Sequence, residues 1–140
     1  MESKIKRVRV LLRVSSDQQL EADGDLGVQR KIVSEYIAKH QDWQLDSKEY
    51  FEGSNSGYKN SVADRDVLQE ALKDAEHGEY DILAAYKDDR LGRRVLEIPG
   101  YILSLKQAGV DVYTVSDGLL SPKDINDVNG IIMLTMRYGM

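Results

Sequence analysis

Two short polar segments contain the residue types that could carry out chemistry on a phosphate. The first, Arg13-Val14-Ser15-Ser16, follows an apolar run and places a serine hydroxyl two residues after an arginine. The second, residues 87–94, reads Lys-Asp-Asp-Arg-Leu-Gly-Arg-Arg and follows another apolar run. A serine hydroxyl can act as a nucleophile, and guanidinium groups bind phosphate oxygens. Taken alone, the first segment is more typical of a polar turn that ends a strand, and the second is as typical of a solvated turn with an acidic helix cap.

Three further polar side chains belong to the set of candidates: Gln19, Gln29 and Arg65. Each is ordinary by itself, as a loop or helix-surface residue. In a parallel α/β protein, however, ligands bind where the carboxyl ends of strands meet, so the fold could bring these positions near Ser15. Several arginines around one serine would repel each other unless an anion such as a phosphate joined them. The combination therefore predicts phosphoryl chemistry.

Arginine could take the place of a metal ion in such chemistry. Negative charge builds on the nonbridging oxygens of a phosphodiester as a nucleophile enters, and preorganised arginines stabilise that transition state. Clusters that would hold two metal ions are not obvious, although Asp88, Asp89 and Glu52 stay open as possible ligands. We therefore expect a site without a metal or another cofactor.

The apolar periodicity predicts strands and helices in alternation, which favours a mostly parallel sheet of four or five strands in a three-layer αβα domain. The predicted strands span residues 7–14, 43–51, 81–86 and 110–115, and the predicted helices span residues 27–40, 64–76, 95–108 and 123–140. Asp64 is the expected N-cap of the second helix, and Gly78 is expected to end it. We expect residues 1–122 to form the domain and residues 123–140 to begin a long helix.

Two of the predicted helices have apolar residues near one face. For the first helix the face consists of Val28, Ile32, Tyr36 and Ile37. For the last helix it consists of Ile125, Val128, Ile132 and Met136. The segments 17–27 and 52–60 are polar and are predicted to be loops.

Composition excludes several classes of protein. The chain has 140 residues, of which 41% are hydrophobic and 31% charged, as in a single globular domain. No apolar run approaches the roughly 20 residues that span a bilayer, so we expect no membrane association. The amino terminus does not resemble a secretion signal and cysteine is absent, which makes the cytoplasm the default location.

A net charge of −5 argues against a domain that binds nucleic acid by bulk electrostatics. With two histidines, His40 and His77, and no thiol, a histidine-rich zinc site and thiol catalysis are not expected.

The order of the polar segments resembles the catalytic domain of the serine recombinases, the resolvase and invertase family. The chain reads Arg13-Val14-Ser15, then Gln19 and Gln29, then Ser56-Gly57 and Asp64-Arg65, then Lys87-Asp88-Asp89-Arg90-Leu91-Gly92-Arg93. The resemblance runs from about residue 7 to about residue 118. The acidic segment between Gln19 and Gln29 and the pair Tyr86-Lys87 look more like the large branch found in phages and transposons.

The resemblance implies a site-specific DNA recombinase. Ser15 would attack a scissile phosphodiester and form a covalent 5′-phosphoserine bond, without ATP or a metal. Arg13, Arg65, Arg90 and Arg93 would bind the phosphate, Asp89 would orient arginines or handle a proton, and Gln19 and Gln29 would support the site. The partners would be double-stranded DNA and a second copy of the chain, with a homodimer pairing into a tetramer on DNA.

The resemblance also places the DNA-reading part outside this sequence. The helix from Lys123 would correspond to the long helix of the family that dimerises and reaches DNA, and a separate basic DNA-binding region would follow Met140. This would account for the acidic balance of the chain. One position departs from the family: Leu11 stands where many members have a tyrosine, and the general base for Ser15 stays unassigned.

Two other functions stay open from the residues themselves. The first is a non-catalytic α/β regulatory or assembly domain that retains a phosphate-binding surface. The second is a small-molecule phosphatase or nucleotide-binding domain, which is disfavoured because a glycine-rich phosphate loop does not follow the first strand.

Overall fold

Six strands and four helices are present in the part of the chain that the structure, a computed structural model, describes: residues 4–13, 24–52, 66–86 and 97–139. In chain order they are β1 (Lys6–Arg13), α1 (Gly24–Ala38), β2 (Trp43–Leu45), β3 (Tyr50–Glu52), α2 (Asp66–Glu76), β4 (Ile82–Ala85), α3 (Glu97–Gln107), β5 (Asp111–Thr114), β6 (Gly118–Leu119) and α4 (Val128–Gly139).

The strands form one sheet in the order β2-β1-β4-β5-β6, and β3 also pairs with β1. All pairings are parallel except that of β6 with β5, which is antiparallel. Strand β4 lies at the centre and all four of its residues are buried, as its continuous apolar sequence predicts. The three-layer α/β prediction is therefore confirmed. The sheet has six strands rather than four or five because one predicted strand is split and a two-residue strand, β6, is added.

Two hydrophobic clusters pack on opposite faces of the sheet. On one face, Val8, Val10 and Leu12 of β1 meet Val33 and Ile37 of α1. The other face packs against α2, α3 and α4 through a larger cluster. Its central members are Leu11, Leu68, Leu83, Ile102, Leu105 and Val112. Alternation along β1 thus sends successive side chains into two different cores, which fixes the register of the strand.

The segment 43–51, predicted as one strand, forms two strands separated by a polar turn. β2 pairs with Lys6 to Val8, whereas β3 pairs with Leu11 to Arg13, so both lie along the same edge of β1. The amide of Asp46 still donates to the Val8 carbonyl of β1 at 2.8 Å, and residues 47–49 leave the sheet. The Oδ1 atom of Asp46 accepts a hydrogen bond from the amide of Lys48 at 3.3 Å. Local side-chain bonding of this kind favours a turn over a continuous ladder.

Helix α1 begins at Gly24, three residues before its predicted start, and its buried face is rotated from the predicted one. Val28 is exposed over 54% of its surface, whereas Gln29, Val33 and Ile37 are buried. These three residues are spaced by four positions and therefore lie along one stripe of the helix. The prediction for Val28 is wrong because a polar residue, Gln29, occupies the place facing the sheet.

Helices α2 and α3 agree with their predictions. In α2, Leu68, Ala71 and Ala75 are buried, and the chain turns at Gly78, whose φ is 71°. The predicted N-cap, Asp64, lies outside the described residues. His40 and His77 lie just after the ends of α1 and α2.

Helix α4 starts at Val128, five residues later than predicted. Asp127 caps it, since the Oδ1 atom of Asp127 accepts a hydrogen bond from the amide of Gly130 at 3.1 Å. Val128, Ile132 and Met136 share one face of α4 as predicted, Ile125 precedes the helix, and all four residues are exposed. Leu134, on another side of the helix, packs into the core at 5% exposure. Across the described ranges, no helix is long and apolar enough to cross a membrane.

Candidate functional site

The carboxyl ends of β1 and β4 lie side by side at one edge of the sheet. The two strands are parallel neighbours, and Val10 is in register with Ala84. β1 ends at Arg13 and β4 ends at Ala85, so the segments that begin with Val14 and with Tyr86 leave the sheet from the same edge. Crevices at this edge of open α/β sheets bind ligands.

Most of the predicted site residues lie outside the described part of the chain. These are Ser15, Gln19, Arg65, Asp89, Arg90 and Arg93. The two described positions are Arg13, the last residue of β1, and Gln29, in α1. The sequence therefore connects the undescribed residues to described elements: Ser15 follows β1 by two positions, Arg65 immediately precedes α2, and residues 87–96 join β4 to α3.

Gln29 has a buried amide side chain, with only 1% of its surface exposed. It lies on the same stripe of α1 as Val33 and Ile37, which pack on the sheet. Burial of an amide costs free energy unless hydrogen bonds compensate, so a buried amide is typical of a position where it forms specific hydrogen bonds. The predicted supporting role of Gln29 stays a prediction.

The third strand brings an acidic residue to this edge. The register of the parallel pair β1 and β3 places Glu52 beside Arg13, as Cα partners. The sequence suggests Glu52 only as a possible metal ligand. Its position next to Arg13 follows from strand pairing, which local sequence does not reveal.

A cluster of charged and polar side chains lies beside the middle of β1, and sequence reasoning missed it. We call it the Arg9 cluster: Arg9, Asp46, Lys48, Tyr50, Asp74 and Glu79. Arg9 is 7% exposed, although it stands in an apolar strand. Its Nε atom donates to Asp46 Oδ2 at 2.7 Å, and its Nη1 atom donates to the hydroxyl of Tyr50 at 2.9 Å and to Asp74 Oδ2 at 3.2 Å. The one available signal was an arginine within an alternating apolar run.

Asp74 of α2 is the second buried charged residue in the described ranges, at 8% exposure. Besides Arg9, its Oδ2 atom accepts hydrogen bonds from Tyr50 Oη at 2.6 Å and from Lys48 Nζ at 2.8 Å. The Nη2 atom of Arg9 also lies 3.5 Å from Glu79 Oε1. The guanidinium is therefore surrounded by three carboxylates and a hydroxyl.

The charges of the Arg9 cluster shift the pKa values of its members. The hydrogen bond from Arg9 lowers the pKa of Asp46. Burial alone would raise the pKa of Asp74, but hydrogen bonds from Lys48 and Tyr50 outweigh it and lower that pKa. Burial, followed by the hydrogen bond to Asp74, raises the pKa of Tyr50. Both carboxyl groups are therefore ionised and the phenol is neutral at pH 7.

The position that departs from the family pattern is filled by an apolar side chain. Leu11 is fully buried in the core on the α2 face. The residue beside it in β3 is Tyr50, whose hydroxyl donates to Asp74. The Tyr50 hydroxyl is thus hydrogen-bonded within the Arg9 cluster. It does not replace the hydroxyl of the tyrosine that the family pattern has in place of Leu11.

The described residues contain no group of three or more histidine and acidic side chains arranged to hold a metal ion. Cavities lined by described residues include two away from the strand ends. One, of about 360 Å³, lies between the β6 end and α4, and the other, of about 420 Å³, lies between α2 and α3. Neither is at the carboxyl edge of β1 and β4.

Comparison with known proteins identifies the family. The family described as "Resolvase, N terminal domain" matches residues 8–140. No curated protein sequence matches the chain significantly.

Among solved structures, the N-terminal catalytic domain of TP901-1 integrase is similar, with a TM-score of 0.67 and 24% identity over 94% of this chain and 90% of that one. A resolvase family site-specific recombinase from Streptococcus pneumoniae has a TM-score of 0.71 and 22% identity over 96% of this chain and 85% of that one. The C-terminal catalytic domain of ISC1926 TnpA, an IS607-like serine recombinase, has a TM-score of 0.64 and 23% identity over 80% of this chain and 71% of that one. These likenesses show a shared fold.

The family match extends over nearly the whole chain, and the Arg13-Val14-Ser15 and Asp89-Arg90-Leu91-Gly92-Arg93 segments fall within it. The chain therefore belongs to the resolvase family and is a recombinase catalytic domain.

Proposed function

We propose that Ser15 is the nucleophile of a site-specific DNA strand exchange. The Oγ atom of Ser15 attacks a scissile phosphorus, an oxygen–phosphorus bond forms, and the bond to the 3′ oxygen breaks. The Ser15 hydroxyl loses its proton and the departing 3′ oxygen gains one, so the step is balanced: a 3′ hydroxyl leaves and the 5′ phosphate stays attached to Ser15. Attack by a 3′ hydroxyl on this phosphoserine reverses the step, so rejoining needs no ATP.

The observation that carries the proposal is the parallel pairing of β1 with β4. In the sequence, the serine segment follows β1 and the arginine segment follows β4. The two strands are parallel neighbours, so both segments start from adjacent strand ends. A nucleophile and several guanidiniums in the segments that follow neighbouring strand ends would suit a reaction in which charge develops on phosphate oxygens. An assembly domain that merely retains a phosphate-binding surface would lack the covalent step, so an adduct through Ser15 separates the two functions.

The other site residues have roles that the family resemblance suggests. Arg13, Arg65, Arg90 and Arg93 hold the phosphate, and Asp89 orients arginines or carries a proton. Gln29, buried on the sheet-facing side of α1, supports the site, as does Gln19. The similarity to the catalytic domain of TP901-1 integrase supports the large branch of the family.

We also propose that two copies of the chain associate through α4 and that two such dimers join on double-stranded DNA. Apolar residues along this helix are exposed, with Val128 at 65%, Ile132 at 50%, Met133 at 70% and Met136 at 52%. Contiguous exposed apolar side chains are characteristic of interaction surfaces. Light scattering of the purified protein tests the dimer, and Met133→Lys should shift the mass toward the monomer.

Covalent attachment to DNA tests the chemistry directly. The chain joined to the DNA-binding region that the resemblance places after Met140 is incubated with fragmented genomic DNA of the source organism in the presence of a chelator, denatured, and separated from unlinked DNA. Sequencing of the recovered fragments should show protein on 5′ ends at a small set of related sites. Ser15→Ala should abolish the adduct, whereas the matched control Ser16→Ala should retain it.

The arginines are tested in the same assay. Replacing Arg90 or Arg93 with alanine should slow adduct formation about a hundredfold or more, the scale expected for removing one preorganised donor from a developing oxyanion. Arg94→Ala removes a neighbouring charge that the resemblance does not include and should change the rate little. An adduct that survives Ser15→Ala would exclude the proposed nucleophile.

A further inference from the structure

The Arg9 cluster connects elements that are distant in the sequence. Arg9 lies on β1, Asp74 on α2, and Tyr50 on β3. The Tyr50 hydroxyl accepts a hydrogen bond from Arg9 and donates one to Asp74, so it bridges the strand and the helix. Arg9 also lies over the Tyr80 ring, with 5.1 Å from its Cζ atom to the ring centre. The guanidinium is therefore held on several sides and has one orientation.

A buried ionic cluster is a costly way to hold two elements together. Removing charges from water offsets much of the attraction between them, and apolar side chains of similar volume often stabilise a fold as well. What a bonded charge cluster adds is a unique geometry, because each donor and acceptor is satisfied in only one arrangement. The geometry fixed here is that of α2 relative to β1.

Both elements adjoin residues of the proposed site. β1 ends at Arg13, and Ser15 follows two positions later. α2 begins at Asp66, directly after Arg65. Any shift of α2 along or away from β1 moves the start of α2 relative to the end of β1. Misplacement of a reacting group by about 1 Å can cost a hundredfold in rate.

We propose that Arg9, acting through Tyr50 and Asp74, is a positioning residue that sets Arg65 relative to Ser15 for attack on DNA. This inference rests on the proposed function. Arg9 does not touch the reacting atoms. It acts by fixing the two elements from which the nucleophile and one phosphate-binding arginine extend.

Two conservative variants disturb the cluster while keeping its charge balance. Tyr50→Phe keeps the ring in the core and removes only the bridging hydroxyl. Arg9→Lys keeps a positive charge among the carboxylates but loses the planar fork that contacts two of them at once. Because neither leaves a carboxylate without a cation nearby, both should fold, and circular dichroism and thermal unfolding check this.

The assay uses a DNA fragment recovered in the adduct experiment above. The first-order rate of phosphoserine formation at saturating DNA is measured separately from the DNA concentration that gives half of the maximal rate. A positioning role predicts that Tyr50→Phe slows the first-order step at least about tenfold, and Arg9→Lys more, while the half-saturating concentration changes less than about twofold.

The matched control is Lys106→Gln, which breaks a 2.7 Å ion pair with Asp111 between α3 and β5. It should lower the melting temperature without slowing the chemical step, so it separates loss of stability from loss of position. If both cluster variants keep the parental first-order rate while Ser15→Ala abolishes the adduct, the positioning role is overturned and the proposed function stands. If the adduct persists in Ser15→Ala, the proposed function itself fails and the positioning role fails with it. Should Arg9→Lys not fold, Tyr50→Phe decides alone.

Discussion

Asp127 and Gly130 are in contact at the start of helix α4, where one carboxylate caps the helix. Asp127 Oδ1 accepts from the Gly130 amide at 3.1 Å, and Asp127 Oδ2 accepts from the Lys123 amide at 3.2 Å. A Cβ atom added at Gly130 would lie 2.9 Å from the Asp127 Cγ atom and 3.0 Å from the Pro122 Cβ atom. Any residue with a Cβ atom at position 130 would therefore crowd this cap at the start of α4.

Gly130→Ala should lower the stability of the protein, even though alanine favours helices. The added methyl group has to displace the capping carboxylate or Pro122, and overpacking of this kind typically costs about 1–3 kcal/mol. Urea unfolding measures the loss. Gly100→Ala is the control, because Gly100 is an exposed helical glycine in α3 with open space around its Cα. That substitution should leave stability unchanged or raise it by up to about 1 kcal/mol.

Leu134→Ala and Met133→Ala test which side of α4 packs on the domain. Leu134 is 5% exposed and belongs to the core, whereas Met133 is 70% exposed. Leu134→Ala should cost about 2–5 kcal/mol. Met133→Ala should change the stability of the monomer by no more than about 0.5 kcal/mol. Equal losses in dilute urea titrations would contradict the observed packing of α4.

Gly109→Ala should destabilise the turn between α3 and β5. Gly109 has a φ of 92°, in the region that L-residues avoid because Cβ approaches the carbonyl oxygen. The expected loss is about 1–2 kcal/mol, measured by thermal or urea unfolding. Gly27→Ala in α1 provides the comparison, since Gly27 has no positive φ and no neighbour within 4 Å of an added Cβ. If the two substitutions have the same effect, backbone strain at position 109 is not the cause.

The Arg9 cluster should make the fold sensitive to acid. Asp46 and Asp74 have pKa values lowered in the folded state, so the unfolded chain binds more protons in the range below the ordinary carboxylate pKa of about 4. Their contribution to stability is complete above that pKa and is lost as the pH falls through the lower folded values. The urea midpoint should therefore drop between about pH 5 and about pH 2. Asp74→Asn removes one of the two groups, and its unfolding free energy should depend less steeply on pH over the same interval.

Much of the fold follows from local sequence. The alternation of Val8, Val10 and Leu12 predicts a buried strand, and the run from Ile82 to Ala85 predicts a central one. Both predictions are confirmed because successive side chains of a strand point to opposite faces and both faces of this sheet are packed, so a short apolar run is enough to identify such a strand. The order of the Arg-Val-Ser and Asp-Arg-Leu-Gly-Arg segments also identifies the family, since motif order is a property of the sequence alone.

The remaining features depend on neighbours that the sequence does not name. Helical periodicity places Val28 or Gln29 on the packed face of α1 almost equally well, and contact with the sheet selects Gln29. The break between β2 and β3 is favoured by Asp46 and Lys48 reaching Arg9 and Asp74, which lie far away along the chain. Similarly, the packed side of α4 is chosen by the core that receives Leu134.

The candidate site likewise combines features that follow from local sequence with features that depend on tertiary contacts. The sequence by itself determined the nucleophile and arginine candidates, because their chemistry and order are local properties. The tertiary structure decided that the strands carrying Arg13 and Ala85 share an edge, that Glu52 is in register with Arg13, and that Arg9 connects β1 to α2. Parallel pairing and buried hydrogen bonds join residues separated by tens of positions, and such contacts arise from the packing of the whole sheet rather than from any one segment.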